Sequence, residues 1–123
     1  MSLPQTVVSL AQNLYATGTH QGNPVPWPTG ATQLELDGIM SAADASNTNS
    51  ACGFQIWVSR DNGKTFQFDI GFDWTGAVNP DNTPNYPIAA TNFPASNPPT
   101  HVRADVLVPA GVSLSVGASL TIS

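Results

Sequence analysis

The sequence predicts an all-β domain, an antiparallel β-sandwich, on three observations. Gly53–Trp74 (GFQIWVSRDNGKTFQFDIGFDW) and His101–Ile122 (HVRADVLVPAGVSLSVGASLTI) both alternate apolar and polar residues, the period of two of half-buried strands. Each folds back at a turn signal, Asp61-Asn62-Gly63 in one and Pro109-Ala110-Gly111 in the other; Asn-Gly between alternating strands is the strongest short-range hairpin mark. No stretch sustains a helical period, and 10 Gly and 11 Pro punctuate the chain, as they do when short strands pack into two sheets. The expected architecture is jelly-roll-like or immunoglobulin-like, a single domain over residues 1–123 with a long ordered loop at about 75–100.

Element by element, Gln5–Tyr15 (QTVVSLAQNLY) reads as a strand because Thr6, Val7 and Val8 are β-branched; a break is expected near Ser9 or Leu10. Thr17–Gln21 continues extended. Asn23-Pro24-Val25-Pro26-Trp27-Pro28 cannot be helical, since each proline holds its predecessor extended. It displays Trp27. Ala31–Met40 is a strand with Leu34 and Leu36 inward, and Gly38 is the place for a bulge because Ile39 breaks the alternation. Ser41–Ala51 is small, polar and loop-like.

In the central hairpin Phe54, Ile56 and Val58 point inward and Trp57 outward. Phe66, Phe68, Ile70, Phe72 and Trp74 share the inward face of the second strand. Thr75–Pro99 is too long for a bare connection; Tyr86, Ile88 and Phe93 pin it, with a short strand near Tyr86–Ala90. The last hairpin puts Val102, Ala104, Val106 and Val108 inside, then Val112, Leu114, Val116, Leu120 and Ile122, with a bend at Gly117.

Composition limits function. Charged residues are 9% of the chain and the net charge is -5, with Arg60, Lys64 and Arg103 the fixed cations. Nucleic acid needs clustered Lys and Arg against its phosphates, so it is not an expected partner, and neither is an anionic membrane. Cys52 is the single cysteine, so no intrachain disulfide forms. The amino-terminal residues MSLPQTVVSLAQNLY carry no basic segment and no continuous apolar run, so no signal peptide is read there. A durable Asn/Thr/Pro-rich surface without an export signal fits a particle protein made in a host cytoplasm.

The turn Ser59-x-Asp61-x-Gly63-x-Thr65-Phe66 resembles the Asp-box hairpin of sialidases and other β proteins. The resemblance implies a structural role: Asp61 accepts turn amides, Gly63 takes a positive φ, and Phe66 packs on the core. It does not imply sialidase activity. Asp61, Asp69, Asp73 and Asp81 are oxygen donors of the calcium type but lack a calcium-loop spacing, so solvated carboxylates are the better reading. No metal or cofactor is expected. His20, His101 and Cys52 lie in no nucleophile motif, and the chain is not expected to be an enzyme.

Four aromatics stand where a core does not claim them: Trp57 on a polar strand face, Trp27 in the proline segment, Tyr86 and Phe93 in the long loop. They are candidate interface anchors. The whole chain, all-β, nearly free of Lys and ending in a valine-rich hairpin, is similar in style to bacteriophage capsid decoration and cement proteins. That resemblance implies a virion structural role, with a major capsid protein or other virion proteins and further copies of itself as partners. The alternative is a carbohydrate-binding or adhesion module on a tail, fibre or cell surface, with a glycan on the exposed aromatics.

Overall fold

The structure, a computed structural model, describes residues 3–42, 52–74, 86–109 and 114–123. The turn at Pro109–Gly111, Val112, Asp81 and the first part of the long loop fall outside the described residues in whole or in part. The strands are β1 (Gln5–Tyr15), β2 (Gly18–Gln21), β3 (Val25–Pro26), β4 (Gln33–Ala42), β5 (Cys52–Ser59), β6 (Gln67–Trp74), β7 (Ile88–Asn92), β8 (His101–Val108) and β9 (Leu114–Ile122). One antiparallel sheet runs β1-β9-β4-β7 and the other β2-β8-β5-β6, with β3 also paired to β8. Apart from β2–β3 and β5–β6, consecutive strands lie in opposite sheets. That order is the double Greek key of a jelly roll and decides between the two expected sandwiches.

The inward faces supply the core. Leu34, Leu36, Met40, Phe54, Ile56, Val102, Val106, Leu114, Leu120 and Ile122 are all 0–1% exposed, each contributing about 1.5–3 kcal/mol as an upper estimate. Phe54 stacks on Phe72 across β5–β6, centroids 5.5 Å apart. Trp27 and Phe93 close one end of this core, in edge contact at 5.3 Å.

Three local expectations change. β4 has no bulge at Gly38: it pairs with β9 in continuous register from Leu34 to Ala42. Gly38 and Met40 simply continue the inward series of Leu34 and Leu36. Gly38 is small because Pro87 Cγ and Phe54 Cε1 would lie 2.8 and 3.0 Å from a Cβ there. The irregularity expected at Gly117 sits in its neighbour β1, whose register shifts between Leu10 and Asn13; a Cβ on Gly117 would lie 2.8 Å from the Gln12 backbone. β6 does bulge. Ile56 pairs with Ile70 but Trp57 pairs with Phe68, leaving Asp69 extra. A bulge reverses the alternation beyond it, so Phe68 joins Trp57 on the outer face instead of the core, and Phe66 lies against Arg103, 4.6 Å from its guanidinium carbon.

A second bulge organises the other edge. β1 shifts register between Val8 and Leu10, which turns Ser9 inward at 1% exposure. Between β2 and β3 the chain leaves β8 at Gly22–Pro24, so β8 would have an unmet amide there. Ser9 Oγ accepts the Ala104 N–H at 2.9 Å and donates to the Asn23 carbonyl at 2.9 Å. Asn23 N–H donates to the Ser9 carbonyl at 2.6 Å, and Gly22 N–H to the Ala104 carbonyl at 2.9 Å. Residues of both sheets thereby satisfy one another's buried backbone, which would otherwise carry a desolvation cost.

The β5–β6 turn is held by side chains. Asn62 and Gly63 have φ of 62° and 83°, the left-handed region that Asn and Gly tolerate best. Ser59 Oγ donates to Asp61 Oδ1 at 2.7 Å and accepts Gly63 N–H at 2.9 Å. Asp61 accepts Thr65 N–H at 2.9 Å and Thr65 Oγ1–H at 2.5 Å. These bonds, the Thr65 hydroxyl foremost, hold the Asp61 carboxyl well below the usual carboxylate range. The turn is tied to the β7–β8 connection by Asn62 N–H on Thr100 Oγ1 at 3.0 Å and Thr100 N–H on the Ser59 carbonyl at 2.8 Å.

Two measurements check this architecture. Gly22→Ala places a Cβ 2.2 Å from the Ala104 carbonyl oxygen and 2.5 Å from Ser9 Oγ. It is expected to cost about 2–3 kcal/mol in urea unfolding; a loss within about 0.5 kcal/mol contradicts the packing at Ser9. Because the Asp61 pKa is lowered on folding from its ordinary 3.8, its contribution is present above about pH 4 and is lost as pH falls below it. Asp61→Asn should therefore lower the melting temperature at neutral pH, with wild type and variant converging as the solution is acidified toward about pH 2. A constant gap across that range contradicts the role given to the carboxylate.

Candidate interaction surfaces

Trp57 is half-buried on the outer face of β5. Its indole N–H donates to Gln55 Oε1 at 2.9 Å, and its ring meets the edge of Phe68 at 5.7 Å. Arg103, opposite it on β8, lies 5.3 Å from the Trp57 ring centroid and closer still to Phe66. The Arg103 side chain is bidentate on Asp105, at 2.9 and 3.2 Å. Asp105 is 1% exposed, and a buried carboxylate persists only when paired and hydrogen-bonded. Among the described residues the cover over Trp57 is thus Arg103 and Phe68, held there by the Asp69 bulge and by opposite charges two residues apart on β8.

The other three aromatics separate. Phe93 is 4% exposed and belongs to the core. Trp27 packs partly against that core, with its indole N–H on the Ala31 carbonyl at 3.1 Å. Neither offers a fully free ring, and Phe93 is withdrawn as a surface anchor because its area is already spent inside. Trp27 and Trp57 do not form one platform: the first belongs to the loop end of the sandwich, the second to a sheet face. Tyr86 alone stands out, at 62% exposure, beside Ile88 at 58% on the edge strand β7. Phe68 is 53% exposed, and Val8 and Leu14 on the opposite edge strand β1 are 57% and 58%. Phe68 and Ile88 were not legible as surface residues, because Phe68 falls on the inward period of its strand and Ile88 reads as a pin of the long loop.

Of the groups with chemical potential, all but Asp69 have local partners or are buried among apolar neighbours. His20 Nε2 lies 2.8 Å from the Ala16 carbonyl and its ring meets Tyr15 at 4.6 Å. His101 Nδ1 lies 3.2 Å from Thr100 Oγ1. Cys52 is buried, and burial together with the nearby Asp73 carboxylate pushes its thiol up to about 12, the opposite of what a thiolate nucleophile needs. Asp61 is committed to its turn and Asp73 stands opposite Gly53; Asp69, the extra residue of the bulge, has its Oδ2 buried without a hydrogen-bond partner among the described residues. Among the described residues no three His, Cys, Asp or Glu side chains gather as a metal site would require.

Two cavities open near Trp27. One, of about 540 Å³, lies between β1 and the proline segment, against Val7, Val8 and Pro24–Thr29. The other, of about 470 Å³, lies at the end of the sandwich between the β3–β4, β5–β6 and β7–β8 connections.

No family model and no curated relative matches the sequence. The backbone is similar to solved virus structures. It aligns with a chain of infectious bursal disease virus, Gx strain, at TM-score 0.59 and 13% identity. With T=1 particles derived from infectious bursal virus the TM-score is 0.60 at 14% identity. Both alignments cover 96% of this chain and 30% of the virus chain. A cleaved adhesin domain of Lys-gingipain from Porphyromonas gingivalis aligns more loosely, at TM-score 0.48 and 11% identity. At such identities the likeness to the virus chains is one of fold alone, and it reaches over about a third of their length.

Proposed function

We propose that the chain is a virion structural protein that decorates or cements a capsid, a bacteriophage capsid in the form that the sequence favours. The observation that carries this reading is the jelly-roll strand order of this chain, whose backbone aligns over 96% of its length with chains of virus structures. The work of such a protein is physical. It buries surface against neighbouring subunits, a major capsid protein or other virion proteins, and raises the free energy of separating them. A standard interface buries about 800 Å² per partner, and repeated attachment around a particle multiplies its effect.

The anchors best supplied for this are Tyr86 and Ile88. Ile88 stands exposed at the start of β7, an edge strand of its sheet, and Tyr86 stands exposed just before it; bare apolar side chains at a sheet edge invite another chain. Phe68 supplies a further exposed ring on the outer face of the second sheet. Trp57 acts behind it, as the fixed support on which Phe68 and Arg103 rest. An adhesion or carbohydrate-binding role is the second reading, favoured by the loop-end cavity beside Trp27.

Purified chain mixed with expanded, undecorated capsids is expected to co-sediment and to raise their dissociation temperature. Tyr86→Ala with Ile88→Ala should weaken attachment by about thirtyfold, the effect of losing an anchor worth roughly 2 kcal/mol. Chain left wholly in the supernatant, or a double variant that attaches as tightly, overturns the reading.

A further inference from the structure

The loop-end cavity has the features of a built small-molecule site. Three connections from opposite sheets meet there, and each is fixed. Trp27 N–H donates to the Thr100 carbonyl at 2.9 Å, and Ala31 N–H to the Pro28 carbonyl at 3.3 Å. Thr100 Oγ1 takes the Asn62 N–H at 3.0 Å. The Trp27 indole forms one wall and is itself locked, by its bond to the Ala31 carbonyl and its edge contact with Phe93. Pro98 and Pro99 form another wall; neither has an amide N–H, so that wall is apolar and stiff. Loops held on a rigid scaffold are where binding sites concentrate, and about 470 Å³ lies within the range of small-molecule sites, roughly 300–1,000 Å³.

Its polar groups are specific in kind. Asn62 and Thr29 both line the cavity and are exposed, and neither side chain makes a hydrogen bond among the described residues. Asn62 offers two N–H donors and a carbonyl acceptor, and Thr29 a hydroxyl that does both. Among the described residues no Asp, Glu, Lys, Arg or His lines the cavity. A charged ligand would give up water there and gain no counter-charge. An indole and proline walls suit the C–H face of a ring, while a free amide and hydroxyl suit hydroxyl groups around it.

We infer that this cavity binds a neutral saccharide of one or two rings, seated against Trp27 with its hydroxyls on Asn62 and Thr29. The inference deepens the adhesion reading and needs only the fold. Capsid attachment without sugar binding would remove it and leave the structural role standing, and the reverse result would do the opposite.

The test is a titration of the ¹⁵N-labelled chain with methyl glucoside, methyl galactoside, N-acetylglucosamine and chitobiose, with N-acetylneuraminate as the charged control. At least one neutral sugar should move the Trp27 indole and Asn62 side-chain amide resonances saturably, at concentrations up to roughly 10 mM, while N-acetylneuraminate moves neither. Asn62→Gly keeps a residue suited to the left-handed turn and removes the amide; it should bind about tenfold more weakly. The inference is overturned if no neutral sugar moves those resonances, if N-acetylneuraminate binds as well, or if Asn62→Gly, still folded, binds as tightly.

Discussion

One hydroxyl joins the two sheets. Ser9 Oγ meets an amide of β8 and a carbonyl of the segment that has just left β8, and the rest of that edge is built to let it do so. The bulge in β1 turns Ser9 inward. Gly22 is bare because a side chain would strike both the Ala104 carbonyl and Ser9 itself. With Ala104 satisfied from the opposite sheet, β2 and β3 can share one neighbour with a gap between them. The chain then runs into the proline segment and delivers Trp27 to the loop end, where its own amide bonds Thr100. The position of the candidate sugar cavity is therefore a downstream consequence of how the edge of the sandwich is closed.

The other outer face solves a different problem. A chain with 9% charged residues nonetheless buries a carboxylate in Asp105. The cost of removing it from water is offset by two bonds from Arg103, whose stem and guanidinium are in turn covered by Trp57 and Phe66. Cation–π contact of this kind contributes roughly 0.5–2 kcal/mol. The aromatics of this face are thus first a lid over an ion pair. What they leave for a partner is Phe68, whose ring lies over Gly71, within 3.1 Å of where a Cβ would stand.

Much of the fold was legible because local chemistry agreed with the final packing. The inward sets of β5 and β8, and those of β9 among the described residues, follow from a period of two, and the Ser59–Thr65 turn follows from the mutual bonds of Ser59, Asp61, Gly63 and Thr65. A short strand was expected near Tyr86–Ala90 and lies at Ile88–Asn92. The bulges were harder. A break near Ser9 was readable, since the β-branched Thr6–Val8 gives way there to a stretch from Leu10 that alone would allow a helical turn. The extra residue at Asp69 was not, because Phe66, Phe68, Ile70 and Phe72 alternate without a fault in the sequence. Only the pairing of Trp57 with Phe68 shows which phenylalanines leave the core. The candidate site was half legible. Trp27 stood out by its proline neighbours, but Asn62 and Thr29 look like ordinary turn residues until three loops are brought together, and long-range juxtaposition has no local signature.

Native-state hydrogen exchange at the Ala104 amide tests this account most directly. If Ser9 closes the sandwich, that amide exchanges only through global unfolding, with the same opening free energy as the core amides of Ile56 and Val106. Exchange of Ala104 at the rate of an exposed loop amide such as Ser96, while Ile56 stays protected, would mean that the edge is open and that Ser9 does not hold the sheets together.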